Sequence, residues 1–130
     1  MNVSVSPKEL QSALNTDSEF RFAARYWDGA LQLQFGDLVH VLRLRAGEVV
    51  GIDATPLQGG QTGEVTISAP IDDWRKLVQP IPPPFYEDFN PAMMHHGFEL
   101  TGDSDYIWGY YAALRRLGQI LRGIASAEEV

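Results

Sequence analysis

Between Ala30 and Ser68 the hydrophobic positions recur every second residue, and on both sides of that stretch they recur every third or fourth. Those two periods belong to strands and helices respectively, so the pattern alone divides the chain. Leu31, Leu33 and Phe35 alternate with Gln32 and Gln34, and Gly36-Asp37 marks a turn. Val39, Val41, Leu42 and Leu44 follow, with Arg43 and Arg45 pointing outward, and Ala46-Gly47 makes a second turn. Val49, Val50 and Ile52 form a third run; Val65 and Ile67, flanked by Thr66 and Ser68, form a fourth. Short β-branched runs joined by tight glycine turns predict an antiparallel meander with one polar face. Gly59-Gly60-Gln61-Thr62-Gly63 reads as a flexible loop between the third and fourth strands.

Helical signals flank the meander. Ser6 is placed to cap a helix with Pro7 at its first position and Glu9 where a capping box needs a carboxylate. Val5 and Leu10 complete a hydrophobic staple, and Leu10 and Leu14 share one face. Phe20 to Trp27 fits either period; a short helix is favoured because Asp17 or Ser18 can cap it and Asp28-Gly29 stops it. After Ser68, Pro70 opens a helix with Asp72 and Asp73 in its first turn, Arg75 and Lys76 near its end, and Ile71, Trp74 and Val78 as its buried stripe. Pro80, Pro82, Pro83 and Pro84 force an extended break. Phe85 to His95 reads as a second helix interrupted by Pro91, and Phe98-Glu99-Leu100-Thr101 as one more strand closed by Gly102-Asp103. Asp103 or Ser104 caps a long final helix whose apolar face runs through Ile107, Tyr110, Tyr111, Leu114, Leu117, Leu121 and Ile124. The predicted order is helix, four strands, two helices, strand, long helix. That is an α+β arrangement: a five-stranded, mainly antiparallel sheet with helices packed on one face. It makes one domain over 1–130, with 1–26 as a helical N-terminal arm.

Composition narrows the function classes. There is no cysteine, which removes disulfides, zinc ribbons and thiol nucleophiles. Ten Lys and Arg against 17 Asp and Glu leave a net charge of −7, a surface that a phosphate backbone repels, so no nucleic-acid partner is expected. No apolar run approaches the roughly 20 residues of a membrane span, so no integral membrane segment is expected. The start Met1-Asn2-Val3-Ser4 lacks the basic and apolar regions of a signal peptide, so the expected location is cytoplasmic.

The element order and several local patterns resemble the sterol-carrier-protein type 2 family. Trp27-Asp28-Gly29-Ala30-Leu31-Gln32-Leu33 is similar to its opening strand, and Leu42-Arg43-Leu44-Arg45-Ala46-Gly47-Glu48-Val49 to its second hairpin. Val65-Thr66-Ile67-Ser68 followed by Asp73-Trp74-Arg75-Lys76-Leu77 resembles its strand-to-helix passage. Gly97-Phe98-Glu99-Leu100-Thr101-Gly102-Asp103 resembles its last strand. The likeness runs from Trp27 to Gly123. It implies a five-stranded sheet covered by helices and an apolar tunnel holding sterols, fatty acids or acyl-coenzyme A. One segment departs from the family's pattern: where small residues are usual, this chain has Pro82-Pro83-Pro84-Phe85-Tyr86-Glu87-Asp88-Phe89-Asn90-Pro91.

Candidate chemistry is sparse. Phe85, Phe89, Met93, Met94, Trp108, Tyr110, Tyr111 and Leu114 concentrate aromatic and methionine side chains late in the chain. They read either as ordinary core or as the wall of a cavity between the final helix and the sheet. On the second reading they bind a fatty acid, acyl-CoA or similar apolar molecule, with no catalytic group and no cofactor. The alternative is a ligand-free interaction module, a homodimer through Trp27, Trp108 or Tyr86. His95-His96 is a poor chelate, because adjacent helical residues point about 100° apart, and no metal is expected. Ser104 has no nucleophile elbow around it, Gly59-Gly60 lacks the Lys of a phosphate cradle, and Arg115-Arg116 reads as a solvated face at a helix end in preference to a bidentate site for a carboxylate or coenzyme phosphate. The expectation is a binding protein and not an enzyme.

Overall fold

In the computed structural model, which describes residues 3–127, the elements run β1 (Val3–Ser4), α1 (Pro7–Thr16), α2 (Ser18–Ala23), β2 (Gly29–Phe35), β3 (Leu38–Arg45), β4 (Glu48–Asp53), β5 (Glu64–Ala69), α3 (Ile71–Leu77), α4 (Phe89–His95), β6 (Glu99–Gly102), α5 (Ser104–Gly109), α6 (Tyr111–Ile124) and β7 (Ser126–Ala127). Local capping sets the helix starts. The Ser6 hydroxyl accepts the Glu9 amide (3.3 Å) with Pro7 at the first position of α1, and the Asp17 carboxylate accepts the Phe20 amide (2.8 Å) at the start of α2. Phe20 is buried while Phe22 is exposed, which settles the ambiguous Phe20 to Trp27 stretch on the helical side.

The five-stranded sheet has the order β4-β3-β2-β5-β6. The pairs β3–β4, β2–β3 and β5–β6 are antiparallel, but β5 lies parallel to β2, with Leu31 opposite Val65 and Leu33 opposite Ile67. The predicted four-strand meander therefore stops after three strands, and the sheet is mixed. The cause lies in residues 54–63, which carry the chain back across the sheet face opposite the helices. That crossover contains no helix, so neither period nor composition announced it. It is held by the Gln32 side chain, nearly wholly buried beneath it, whose Oε1 accepts the Leu57 amide (2.7 Å). Its landing point is the Gly63 carbonyl, which accepts both the Trp27 indole N–H (2.9 Å) and the Ala30 amide (3.1 Å). The Gly63 amide in turn donates to Asp103 (3.0 Å), the residue that caps α5. A side chain at Gly29 would run into the Gly63 carbonyl oxygen, and one at Gly63 (φ +80°) would come within 2.5 Å of the Asp28 carbonyl. Only glycine satisfies both positions.

On the other face Leu31, Leu33, Leu42, Val65 and Ile67 meet Leu10 and Leu14 of α1, Trp74 of α3, and Leu114, Leu117 and Leu121 of α6, all without measurable exposure. The β4 edge is covered by α1. Asn15 donates to the Val49 carbonyl (2.9 Å) and accepts the Val49 amide (2.8 Å), so one carboxamide makes both hydrogen bonds that a further strand would supply.

Two helix expectations are corrected. Pro91 does not interrupt the second of the paired helices: α4 starts at Phe89, which puts Pro91 in its first turn, where its missing N–H has no intrahelical partner to lose. The single long final helix is two, α5 and α6, broken at Tyr110 (φ −112°, ψ 22°) directly after Gly109, a weak helix former. A further pairing, β1 with β7, had no signal in the pattern.

Helix α2 is tied to α6 by Asp17, which receives both Nε (3.0 Å) and Nη2 (2.7 Å) of Arg116. That hydrogen bonding, opposed by partial burial and helped by the Phe20 amide, holds the Asp17 carboxyl below the usual carboxylate range. A carboxyl depressed on folding contributes stability in full above its unfolded value of about 4 and loses it as pH falls through the folded value. Asp17→Asn keeps a cap but removes the charge. Urea denaturation should show it about 1–2 kcal/mol less stable than the parent at pH 7, with the gap closing below about pH 4. Gly29→Ala should cost about 2 kcal/mol or more in the same assay, because backbone and not a flexible side chain blocks the added methyl.

Candidate functional site

The eight predicted lining residues fall into three neighbourhoods. Phe89 and Leu114 are core. The Phe89 ring lies against Gly118 of α6, so close that a β-carbon there would sit 3.2 Å from Cε2. Its centroid is 5.9 Å from that of Trp74 and 5.7 Å from that of Phe98, while Trp74 lies 4.8 Å from Phe98 and 4.3 Å from Phe35. These rings occupy the space between α4, α6 and the sheet where the sequence placed a hollow. Tyr110, Tyr111 and Trp108 gather at the start of α6. Tyr110 stacks on Trp27 (5.2 Å), and Trp108, about half exposed, stacks on Tyr111 (5.6 Å). The Tyr111 hydroxyl accepts the Asn90 amide (2.7 Å), pinning α4 to α6. Burial raises the Tyr110 and Tyr111 hydroxyls above the ordinary tyrosine value. Phe85, Met93 and Met94 form the third group around α4, with Met94 largely exposed, Phe85 partly exposed and Met93 half-buried. Of the aromatics considered for a partner surface, Trp27 and Tyr86 are buried and only Trp108 is exposed.

Met93 borders an open cleft of about 410 Å³ between the end of α4 and the edge strand β6, lined also by His96, Gly97, Phe98, Glu99, Leu100 and Thr101. Met93, Phe98 and Leu100 give it apolar walls; His96, Glu99 and Thr101 give it a polar rim. Sequence reasoning recognised Phe98 to Thr101 as a strand but assigned none of it to a site. The signal was there in the apolar Phe98 and Leu100. Their use depends on β6 being a sheet edge, and that follows from the parallel pairing.

The proline-rich segment that precedes α4 is fastened over this end of the molecule. The Tyr86 hydroxyl donates to Asp73 (2.5 Å), and burial together with that carboxylate raises its pKa. Arg122 of α6 donates to the carbonyls of Leu77 (3.0 Å) and Tyr86 (3.2 Å). The two histidines do not converge. His95 stacks on Phe85 and His96 on Tyr86, each at 3.8 Å, and His96 Nε2 lies 3.0 Å from the Pro84 carbonyl oxygen. Among the described residues no cluster of His, Asp and Glu with metal-binding geometry is present. The paired arginines are engaged by carboxylates of other elements, Arg115 by Asp88 (3.2 Å) and Arg116 by Asp17. Ser104 opens α5 behind the Asp103 cap.

Comparison with solved structures then fixes the architecture. One structure of sterol carrier protein 2 superposes with a TM-score of 0.69 at 23% identity, over 91% of this chain and 94% of that one. The fold is that of sterol carrier protein 2. The solution structure of a conserved hypothetical protein from Thermus thermophilus has a TM-score of 0.65 at 23% identity, covering 97% of this chain and 92% of its own. The ubiquinone synthesis protein UbiJ-SCP2 has 0.51 at 16%, covering 86% and 90%. No family model and no curated protein matches the chain. Within this sterol-carrier fold, the proline- and aromatic-rich segment 82–91 supplies Phe89 and the strap over α4.

Phe89→Ala removes a ring that nothing nearby can replace. It should lower stability by about 3–5 kcal/mol in urea denaturation, whereas Met94→Ala should change it by less than about 0.5 kcal/mol.

Proposed function

We propose that this chain is a cytoplasmic, non-enzymatic carrier that binds an apolar small molecule with a single hydrocarbon chain, such as a fatty acid or acyl-CoA. The observation that carries the reading is the apolar-walled cleft of Met93, Phe98 and Leu100 at the open side of a sterol-carrier fold. Three structural neighbours bear the sterol carrier name or its abbreviation, one of them as a possibility, which supports a lipid-type ligand for this architecture. Among the described residues no helix is long and apolar enough to cross a membrane.

The energetics fit a modest binder. Each buried methylene contributes about 0.8 kcal/mol, so ten methylenes supply roughly 8 kcal/mol before ordering losses, a micromolar ceiling. An open cleft buries only part of such a tail. Deeper reception requires the Phe89 ring to leave its place over Gly118. Taking that ring out of its place costs about 3–5 kcal/mol, which offsets about half of what a ten-methylene tail returns, so deeper reception lowers the affinity well below that ceiling. The polar rim then meets the head group at the surface.

Displacement of a fluorescent fatty acid from the purified protein tests the reading, with native mass spectrometry for copurified lipid. Saturable binding weaker than the micromolar ceiling is expected, and Leu100→Asp, which puts a charge on the cleft wall, should weaken it at least about tenfold while the far-ultraviolet circular dichroism stays unchanged. A clean apo mass together with no displacement would remove the carrier reading.

A further inference from the structure

Residues 80–96, from the proline run to the end of α4, are joined to the rest of the molecule only by side chains. No strand pairs with them, and among the described residues no hydrogen bond between main-chain groups links them to another element. The amides of Tyr86, Ala92 and His96 donate to Pro83, Asp88 and Ala92, all within the segment. Prolines at 80, 82, 83, 84 and 91 have no N–H to offer. The ties to the body are few. Tyr86 donates its hydroxyl to Asp73 (2.5 Å), and the Asn90 amide donates to the Tyr111 hydroxyl (2.7 Å). Asp88 accepts from Arg115 (3.2 Å), and the Tyr86 carbonyl accepts from Arg122 (3.2 Å). Of the whole segment only Tyr86, Phe89 and Ala92 are buried.

The segment is nevertheless one piece. Phe85 stacks on His95, Tyr86 stacks on His96, and His96 Nε2 lies 3.0 Å from the Pro84 carbonyl oxygen, so the proline run is fastened to α4. Its two ends lie together. It departs from α3 and returns at Gly97, where a β-carbon would come within 2.5 Å of Oδ2 of Asp73, a residue of α3. Closure is strained at one point: Phe85 has φ +68°, a left-handed conformation that a bulky side chain adopts only under constraint. Opening about that base relieves the constraint, carries Phe89 off Gly118 and uncovers the rings of Trp74 and Phe98. Regions with few buried contacts open at a lower free energy than the core. A detached helix as short as Phe89–His95 does not persist in water, so its amides become exchangeable in the same event.

We propose that residues 80–96 open as one flap, latched by Tyr86 on Asp73, and that the flap is the entrance to the space behind Phe89. Its use by a ligand rests on the carrier reading; its opening does not. The test is native-state hydrogen exchange of the full chain in low urea, followed by NMR. The amides of Tyr86, Ala92 and His96 should be at least about tenfold less protected than those of Leu33 in β2 and Leu117 in α6. Tyr86→Phe, which keeps the ring and removes the latch hydroxyl, should lower flap protection a further tenfold or so and leave Leu33 and Leu117 unchanged. Tyr111→Phe, which removes the tie to Asn90, should act in the same direction. The limiting rate at which a fluorescent fatty acid associates should rise severalfold in Tyr86→Phe. Exchange of the flap together with the core, or a Tyr86→Phe effect spread equally over all amides, would overturn the proposal. Unchanged association in Tyr86→Phe would overturn the entrance. Early flap exchange with no fatty acid bound at all would support the flap and remove the carrier reading instead.

Discussion

One carbonyl oxygen organises the molecule. Gly63 O receives the Trp27 indole and the Ala30 amide, and the same peptide region passes the Gly63 amide to Asp103. Those bonds place the end of the crossover against the beginning of β2, so the next strand must run beside β2 in the same direction. Parallel pairing at that position makes β2 central and β6 an edge. It also gives the sheet two different coverings. Helices pack on the side of Leu31, Leu33 and Phe35, and a glycine-containing segment crosses the side of Gln32. The close approach of Gly29 and Gly63 leaves no room for any other residue pair, and the stacking of Trp27 on Tyr110 extends the same junction to the start of α6. The cleft at α4 takes its walls from this arrangement.

On the helical side, the volume of aromatic rings decides what is left over. Phe35, Trp74, Phe89 and Phe98 form a continuous cluster, and the small surface of Gly118 lets Phe89 lie against α6. Interiors pack to the density of organic crystals, so a ring added to such a cluster removes a hollow of comparable size. The proline-rich strap, fastened by Tyr86 to Asp73 and by Arg122 to two carbonyls, holds α4 where Phe89 can fill that space. A fold shared at 23% identity fixes the layers and not the residual volume between them.

Capping and alternation made much of the architecture legible. Ser6 and Asp17 signalled their helices through their own side chains, and the inward alternation of β2 through β5 was plain because one face is apolar and the other polar. What could not be read was pairing between strands distant in sequence. Nothing local distinguishes a hairpin return from a crossover when the connection has no helix, and Gln32 looks like an ordinary solvent-facing strand residue until something lies over it. The break before α6 was more accessible, since Gly109 stands inside the supposed helix. The candidate site was legible only in part. Met93 and the strand from Phe98 were visible, but the sequence joined Met93 to Tyr110 and Leu114 on the far helix instead of to Leu100 on the edge strand.

The reason is a difference between direction and depth. Phe89 and Met93 are four residues apart on α4 and share its apolar stripe, so periodicity treats them alike. Phe89 reaches Gly118 and is sealed; one turn later the stripe passes the last core residue, and Met93 stays half-buried against the edge of the sheet. Met94, rotated by a further 100° or so, points to solvent. A hydrophobic stripe that outlasts the core it packs on leaves apolar surface with no partner from its own chain. Here that surface is the wall of the cleft, and Leu100 meets it from β6, beside the nearly buried Phe98 that precedes the strand, because an edge strand has no neighbour to cover it. The position of the cleft is thus set by where the aromatic cluster ends, and a change in ring volume at residue 89 would move it.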